Sequence, residues 1–162
     1  MVVKRLECLE LTKDYGNVTC SLNLKNRTTS YVQVDYVPFF DIYPLIKITL
    51  NYRFTVYRKF LIDVTEDFCA FMKGKKSAPV VSILWESLNA AGNLKTGCPH
   101  KKGEHYYVKD YVIDEKKFPP AMPTGDYRID ITIINNVDKV QMLTVQMFVL
   151  IQRKPEADIT WN

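Results

Sequence analysis

From Ile46 to Val56 every second residue is apolar: Ile46, Ile48, Leu50, Tyr52, Phe54 and Val56 alternate with Lys47, Thr49, Asn51, Arg53 and Thr55. Alternation at period two sends the two sets to opposite faces of an extended chain, one dry and one wet, and a helix cannot satisfy it. The signature recurs along the chain. Val2, Val3 and Leu6 open an edge strand with Cys8 near its end, and Asp14-Tyr15-Gly16-Asn17 reads as a turn. Cys20, Leu22 and Leu24 then alternate with Ser21, Asn23 and Lys25, and the β-rich run Tyr31 to Tyr36 is stopped by Pro38. Leu61 to Val64 reads as a short strand, and His105 to Ile113 is again β-like. Tyr127, Ile129, Ile131 and Ile133 alternate with Arg128, Asp130 and Thr132, and Met142 to Ile151 is apolar on both faces. Phe118 to Pro123 holds three prolines and reads as loop or extended edge. Roughly seven strands with turn signals between them predict a mainly β fold, an antiparallel sandwich rather than a parallel α/β sheet.

One stretch breaks the pattern. Between Phe60 and Pro99 the spacing becomes helical. Thr65 is placed to cap a helix carrying Glu66 and Asp67 in its first turn and Phe68, Phe71 and Met72 on one face, with Gly74 as a stop. Pro79 suits a first helical turn, and Val81, Leu84, Trp85 and Leu88 follow at the i, i+3, i+4, i+7 spacing, with Gly92 beyond them. Cys69 sits in the first helix and Cys98 just past the second, so a bridge between them would clamp the excursion onto the sheet beneath. Cys8 and Cys20 are placed to face each other across a hairpin. Four cysteines allow three connectivities.

The 162 residues suffice for one domain with its own core, so residues 1–162 are expected to form a single unit. The net charge of +4 comes from scattered pairs such as Lys75-Lys76, Lys101-Lys102 and Lys116-Lys117, which read as a solvated surface. No nucleic-acid reading motif accompanies them, and no nucleic-acid partner is expected. The cysteines lack the C-x-x-C spacing of a metal knuckle, so neither metal nor cofactor is expected. Two N-x-T sequons, at Asn17 and Asn26, join the even cysteine count in favouring an oxidising compartment. Secretion is therefore the expected localisation. The first residues show no charged segment followed by an apolar one, which is read as a signal peptide already removed. No apolar run approaches the roughly 20 residues of a membrane-spanning helix.

Enzyme signatures are absent: there is no G-x-S-x-G, H-E-x-x-H or G-x-G-x-x-G. Gly92 to Gly97 has the glycine spacing of a phosphate loop, but Cys98-Pro99 stands where Lys-Ser/Thr is required. Cys98 lies near His100 and His105, a pairing that would suit a nucleophile or a metal. Bound in a disulfide, however, its sulfur is neither, and both histidines are expected to be solvated in their Lys-rich loop. Glu66-Asp67 and Asp114-Glu115 read as cap and turn residues. No catalytic residue is assigned. The signal lies instead in an apolar content of 47% of the chain and an aromatic content of 12%, because a sandwich propped open by a helical flap would leave an apolar concavity between its sheets.

Four segments carry a family resemblance: Cys20-Ser21-Leu22-Asn23-Leu24-Lys25-Asn26-Arg27-Thr28, the run F-L-I-D-V-T-E-D-F-C from Phe60 to Cys69, Asn93-Leu94-Lys95-Thr96-Gly97-Cys98-Pro99, and Pro123-x-Gly125-x-Tyr127. Spread over most of the chain, they resemble a large insect family of small secreted proteins of unknown function that includes chemosensory B proteins. That family is similar to the ML lipid-recognition domains of the ganglioside activator and sterol carriers. The resemblance implies an immunoglobulin-like sandwich with an apolar cup, and the pairings Cys8–Cys20 and Cys69–Cys98. It also implies a non-enzymatic, secreted carrier or presenter of a lipid or other hydrophobic small molecule, with insect chemosensation as a setting and a membrane receptor as a candidate partner.

The apolar rows on strands 46–56, 127–133 and 141–151, with Phe68, Phe71, Trp85 and Leu88 from the helices, are expected to supply the cavity wall. The residues selected from them as ligand-binding are Tyr52, Phe54, Trp85, Ile129, Ile131 and Phe148. The alternative is an extracellular interaction module with a filled core, recognising a partner through Tyr106, Tyr107 and Tyr111.

Overall fold

The computed structural model describes residues 2–75, 79–118 and 122–152. Among these described residues, eight strands form two antiparallel sheets. Strands β1 (Val2–Glu10), β4 (Pro44–Arg53), β5 (Tyr57–Asp67), β7 (Gly125–Asn135) and β8 (Gln141–Ile151) make one, in the order β1-β8-β7-β4-β5. Strands β2 (Gly16–Leu24), β3 (Ser30–Pro38) and β6 (Tyr106–Tyr111) make the other, in the order β2-β3-β6. Two helices, α1 (Phe68–Met72) and α2 (Pro79–Ala90), interrupt the strands as a flap. The chain is thus an antiparallel, immunoglobulin-like β-sandwich with a helical insertion.

Register explains which rows are buried. Ile48 pairs with Ile131, Leu50 with Ile129 and Tyr52 with Tyr127 between β4 and β7, while Val145, Met147 and Val149 of β8 oppose the same β7 residues. Every member of these pairs points inward, so the alternation read from the sequence becomes one continuous apolar face. The outer face carries polar groups instead, among them Asn51, whose amide donates to Asp130 Oδ2 at 3.1 Å. Opposite this sheet sit the three-stranded sheet and the flap. Ile46 and Ile48 pack under Phe68, Val81, Leu84 and Trp85, the faces predicted for the two helices.

Three local expectations are corrected. The first helix is capped by Asp67, whose Oδ1 accepts from the Ala70 amide at 3.1 Å, and not by Thr65. Thr65, Glu66 and Asp67 still pair with β4, so the helix starts only where that pairing ends. Strand β4 stops at Arg53, because Arg53 already pairs with Tyr57 of β5 and Phe54 to Val56 must turn the chain between them. Apolar alternation runs on into that turn because Phe54 rests on Tyr52, ring centroids 4.8 Å apart, and not because it enters the core. Finally, Cys8 and Cys20 do not face each other across a hairpin. β1 and β2 belong to different sheets, and the Cys8–Cys20 disulfide, 6.2 Å between Cα atoms, staples one sheet to the other.

The second disulfide joins Cys69 of α1 to Cys98, 5.3 Å between Cα atoms, and closes the flap. Gly92 locks its far end: a Cβ there would stand 1.9 Å from the Tyr107 carbonyl oxygen, so only glycine lets the end of the helix bridge to Val108 on β6. In the proline-rich Phe118–Pro123 stretch, Phe118, Met122 and Pro123 are irregular, and residues 119–121 lie outside the described ones.

Candidate functional site

Between the five-stranded sheet and the junction of α2 with the three-stranded sheet lies an apolar cavity of about 100 Å³. Its floor is Ile131 and Ile133 of β7 with Leu143, Val145 and Met147 of β8. Val32, Val34 and Tyr36 of β3 and Tyr106, Val108 and Tyr111 of β6 form the roof. Trp85 and Leu88 of α2, with His100 from the following loop, close one side. No lysine, arginine, aspartate or glutamate is among the lining residues. A gap of about 20 Å³ lies on the other side of α2, against Leu50, Ile62 and Ile129. Tyr111 borders both spaces, and its hydroxyl lies 3.1 Å from Ser87 Oγ on α2.

The residues selected from the sequence distribute unevenly around this geometry. Trp85 and Ile131 line the cavity. Ile129 borders the smaller gap under α2. Tyr52 is half-buried one layer along the same face, packed on Tyr127 and Phe60 with ring centroids 4.9 and 5.5 Å away. Phe54 is 57% exposed at the tip of the β4–β5 hairpin. Phe148 faces outward: its β1 and β7 partners are Arg5 and Arg128, and the Arg5 guanidinium sits 3.8 Å above its ring. It borders an open cleft rimmed by Lys4, Arg5, Arg53 and Asp126. Sequence reasoning missed the roof altogether, although Val32, Val34 and Tyr36 already alternate in the run that was read as a strand.

His100 departs most from expectation. It is 6% exposed, not solvated. Its backbone pairs with Ile42, and its ring stacks on Tyr106 and meets the edge of Phe68 at 5.1 Å. Burial lowers its pKa to about 4, opposed by a hydrogen bond to the Leu94 backbone and by the Glu104 charge, so the ring is neutral at pH 7. His105, in contrast, is exposed, with Nε2 2.7 Å from Asp35 Oδ1. Tyr106 and Tyr111, two of the three tyrosines expected to offer a binding surface, are buried. Cys98 is bonded to Cys69, and no group of three or more metal-ligating side chains occurs among the described residues. The cavity wall is therefore mostly apolar, and Cys98, held in its disulfide, offers no thiol.

Residues 46–129 match the family model described as "Protein of unknown function (DUF1091)". The chain belongs to this family. Membership agrees with the resemblance read from the sequence and places most of β4, all of β5, the flap, β6 and the start of β7 inside the matched region. No curated protein matches the chain. Among solved structures, a Niemann-Pick type C2 protein from Japanese carpenter ant is similar over 94% of this chain and 100% of that one, at 15% sequence identity and a TM-score of 0.44. Among the described residues, no helix is long and apolar enough to cross a membrane.

Proposed function

We propose that this DUF1091 member is a secreted, non-enzymatic binding protein that holds a lipid or other hydrophobic small molecule between its sheets, residues 1–162 acting as one ML-like domain. The observation that carries the reading is the uncharged cavity of about 100 Å³ between the two sheets. An engineered apolar cavity of about 150 Å³ takes up benzene, so a space of this size suits a small ring or the end of a chain. A longer ligand requires α2 to shift toward the gap on its other side. Burying about 200 Å² of apolar ligand surface contributes roughly 5 kcal/mol before ordering costs, enough for weak but useful binding.

Two disulfides and the exposure of both sequon asparagines, Asn17 and Asn26, support an oxidising, secretory setting. Asn26 uses its Oδ1 to accept from the Thr28 and Thr29 amides, which leaves its nitrogen side for a glycan. Chemosensory presentation to a membrane receptor is the role that the family resemblance suggests. The alternative of an interaction module loses ground because Tyr106 and Tyr111 are not on the surface.

Ile131→Trp tests the reading. Ile131 lines the cavity, so the larger ring is expected to enter it, abolish binding of a fluorescent fatty-acid probe, and lower stability by less than the roughly 1–3 kcal/mol of an overpacked core. A parent protein that binds no probe, with Ile131→Trp strongly destabilised in thermal melts, would overturn the carrier reading.

A further inference from the structure

A cavity that served only hydrocarbon would be walled by groups with no hydrogen bonds left to make. This one is not. Among the described residues, the buried side-chain nitrogens and oxygens that lack a partner belong to four side chains: Tyr36, Trp85, Asn89 and His100. Three of the four, Tyr36, Trp85 and His100, line the cavity, and each is more than nine-tenths buried, at 7%, 4% and 6% exposure. Native cores leave few buried polar atoms unpaired, because each loses its water without a replacement. Here they gather around a single space.

The three come from separate elements that the fold brings together. Tyr36 on β3 is the register partner of Tyr106 on β6. The Tyr106 ring stacks on His100, centroids 4.2 Å apart, and Phe68 then bridges His100 to Trp85 at 5.1 Å on each side. The Tyr106 hydroxyl is already engaged, accepting from the Lys101 amide at 2.7 Å and donating to Glu104 Oε2 at 3.0 Å, and Tyr111 meets Ser87. What remains unpaired is a phenol that donates or accepts and an indole N–H that only donates, beside a neutral imidazole with one nitrogen turned to the Leu94 backbone and the other left to accept.

We infer that the cavity selects a neutral, oxygen-bearing hydrophobic molecule, an alcohol or a ketone, whose oxygen hydrogen-bonds Tyr36 and Trp85, with His100 as the third polar wall. This rests on the carrier reading above and narrows it to a ligand class. Tyr36 and Trp85 each have a proton to donate, which calls for an accepting oxygen. A carboxylate is disfavoured, since no lysine or arginine lines the space and a buried unpaired anion is costly. A pure hydrocarbon would leave the Tyr36 hydroxyl and the Trp85 indole N–H unpaired.

The test pairs two probes of one shape, cyclohexanol and methylcyclohexane, in which a hydroxyl replaces a methyl. Titrations of the full chain and of Tyr36→Phe, which removes only the unpartnered hydroxyl, are followed by nuclear magnetic resonance. The chain has two tryptophans, so Trp161→Phe leaves the Trp85 indole N–H as the single signal of its kind. Tyr36→Phe is expected to weaken cyclohexanol about three- to tenfold, the range of one net hydrogen bond, and to leave methylcyclohexane within about twofold. Cyclohexanol alone is expected to move the Trp85 indole proton downfield. Should Tyr36→Phe fail to fold, that indole shift in the otherwise unaltered chain decides the matter. If both probes bind but Tyr36→Phe changes them equally and the indole proton does not respond to cyclohexanol, the polar subsite is overturned and the carrier reading stands; buried water satisfying these groups would give that result. If neither probe binds, both are overturned.

Discussion

The imidazole of His100 lies against the ring of Tyr106, centroids 4.2 Å apart and planes 24° from parallel, inside a core that its neighbours Lys101 and Lys102 do not enter. The Ile42 bridge draws the His100 backbone into the fold, and the ring follows it inward.

That burial makes stability depend on pH. The folded-state pKa of His100, about 4, lies below its ordinary 6.5, so between these values the unfolded chain binds a proton that the folded chain refuses. The contribution is fully present above pH 6.5 and is lost as pH falls toward 4, for a total on the order of 3 kcal/mol. Urea unfolding at pH 7 and pH 4.5 measures it, and His100→Phe is expected to flatten the difference. Equal slopes in the two proteins would show that His100 is not the titrating group.

The two disulfides are expected to act on different parts of the molecule. Cys69 and Cys98 are 29 residues apart and close only the flap, whereas Cys8 and Cys20, 12 apart, join the sheets. Each loop closure is worth about 3 kcal/mol in the chain-entropy model. Replacing Cys69 and Cys98 together by serine is expected to speed amide exchange in α1 and α2 while β7 and β8 keep their protection. Loss of protection in all four would mean that the flap is not an independent unit.

Two aromatic residues attractive on sequence grounds are expected to be silent in binding. Phe148→Ala removes a ring held under Arg5 on the outer face, and Phe54→Ala removes an exposed hairpin tip. The first is expected to cost about 0.5–1 kcal/mol through the lost cation–π contact and the second less than about 0.5 kcal/mol. Fatty-acid probe affinity should be unchanged in both. A tenfold loss in either would move the binding site out of the cavity and into the open cleft beside Phe148.

The amino-acid sequence by itself determined the strands, the apolar rows along those that alternate, and the helical stretch with its apolar stripe. Those features are local: a period of two or of 3.6 registers on one element, as in Ile129, Ile131 and Ile133 or in Val81, Leu84 and Trp85. Only the tertiary structure decided what each row faces. It sent β2 away from β1 into the second sheet, put Val32, Val34 and Tyr36 across the cavity from Ile131, turned Phe148 outward over β1, and drew His100 in from a lysine-rich loop. Periodicity fixes inside and outside along a strand, but the partner across the core is set by pairings tens of residues apart, and those pairings left Tyr36, Trp85 and His100 together around one space.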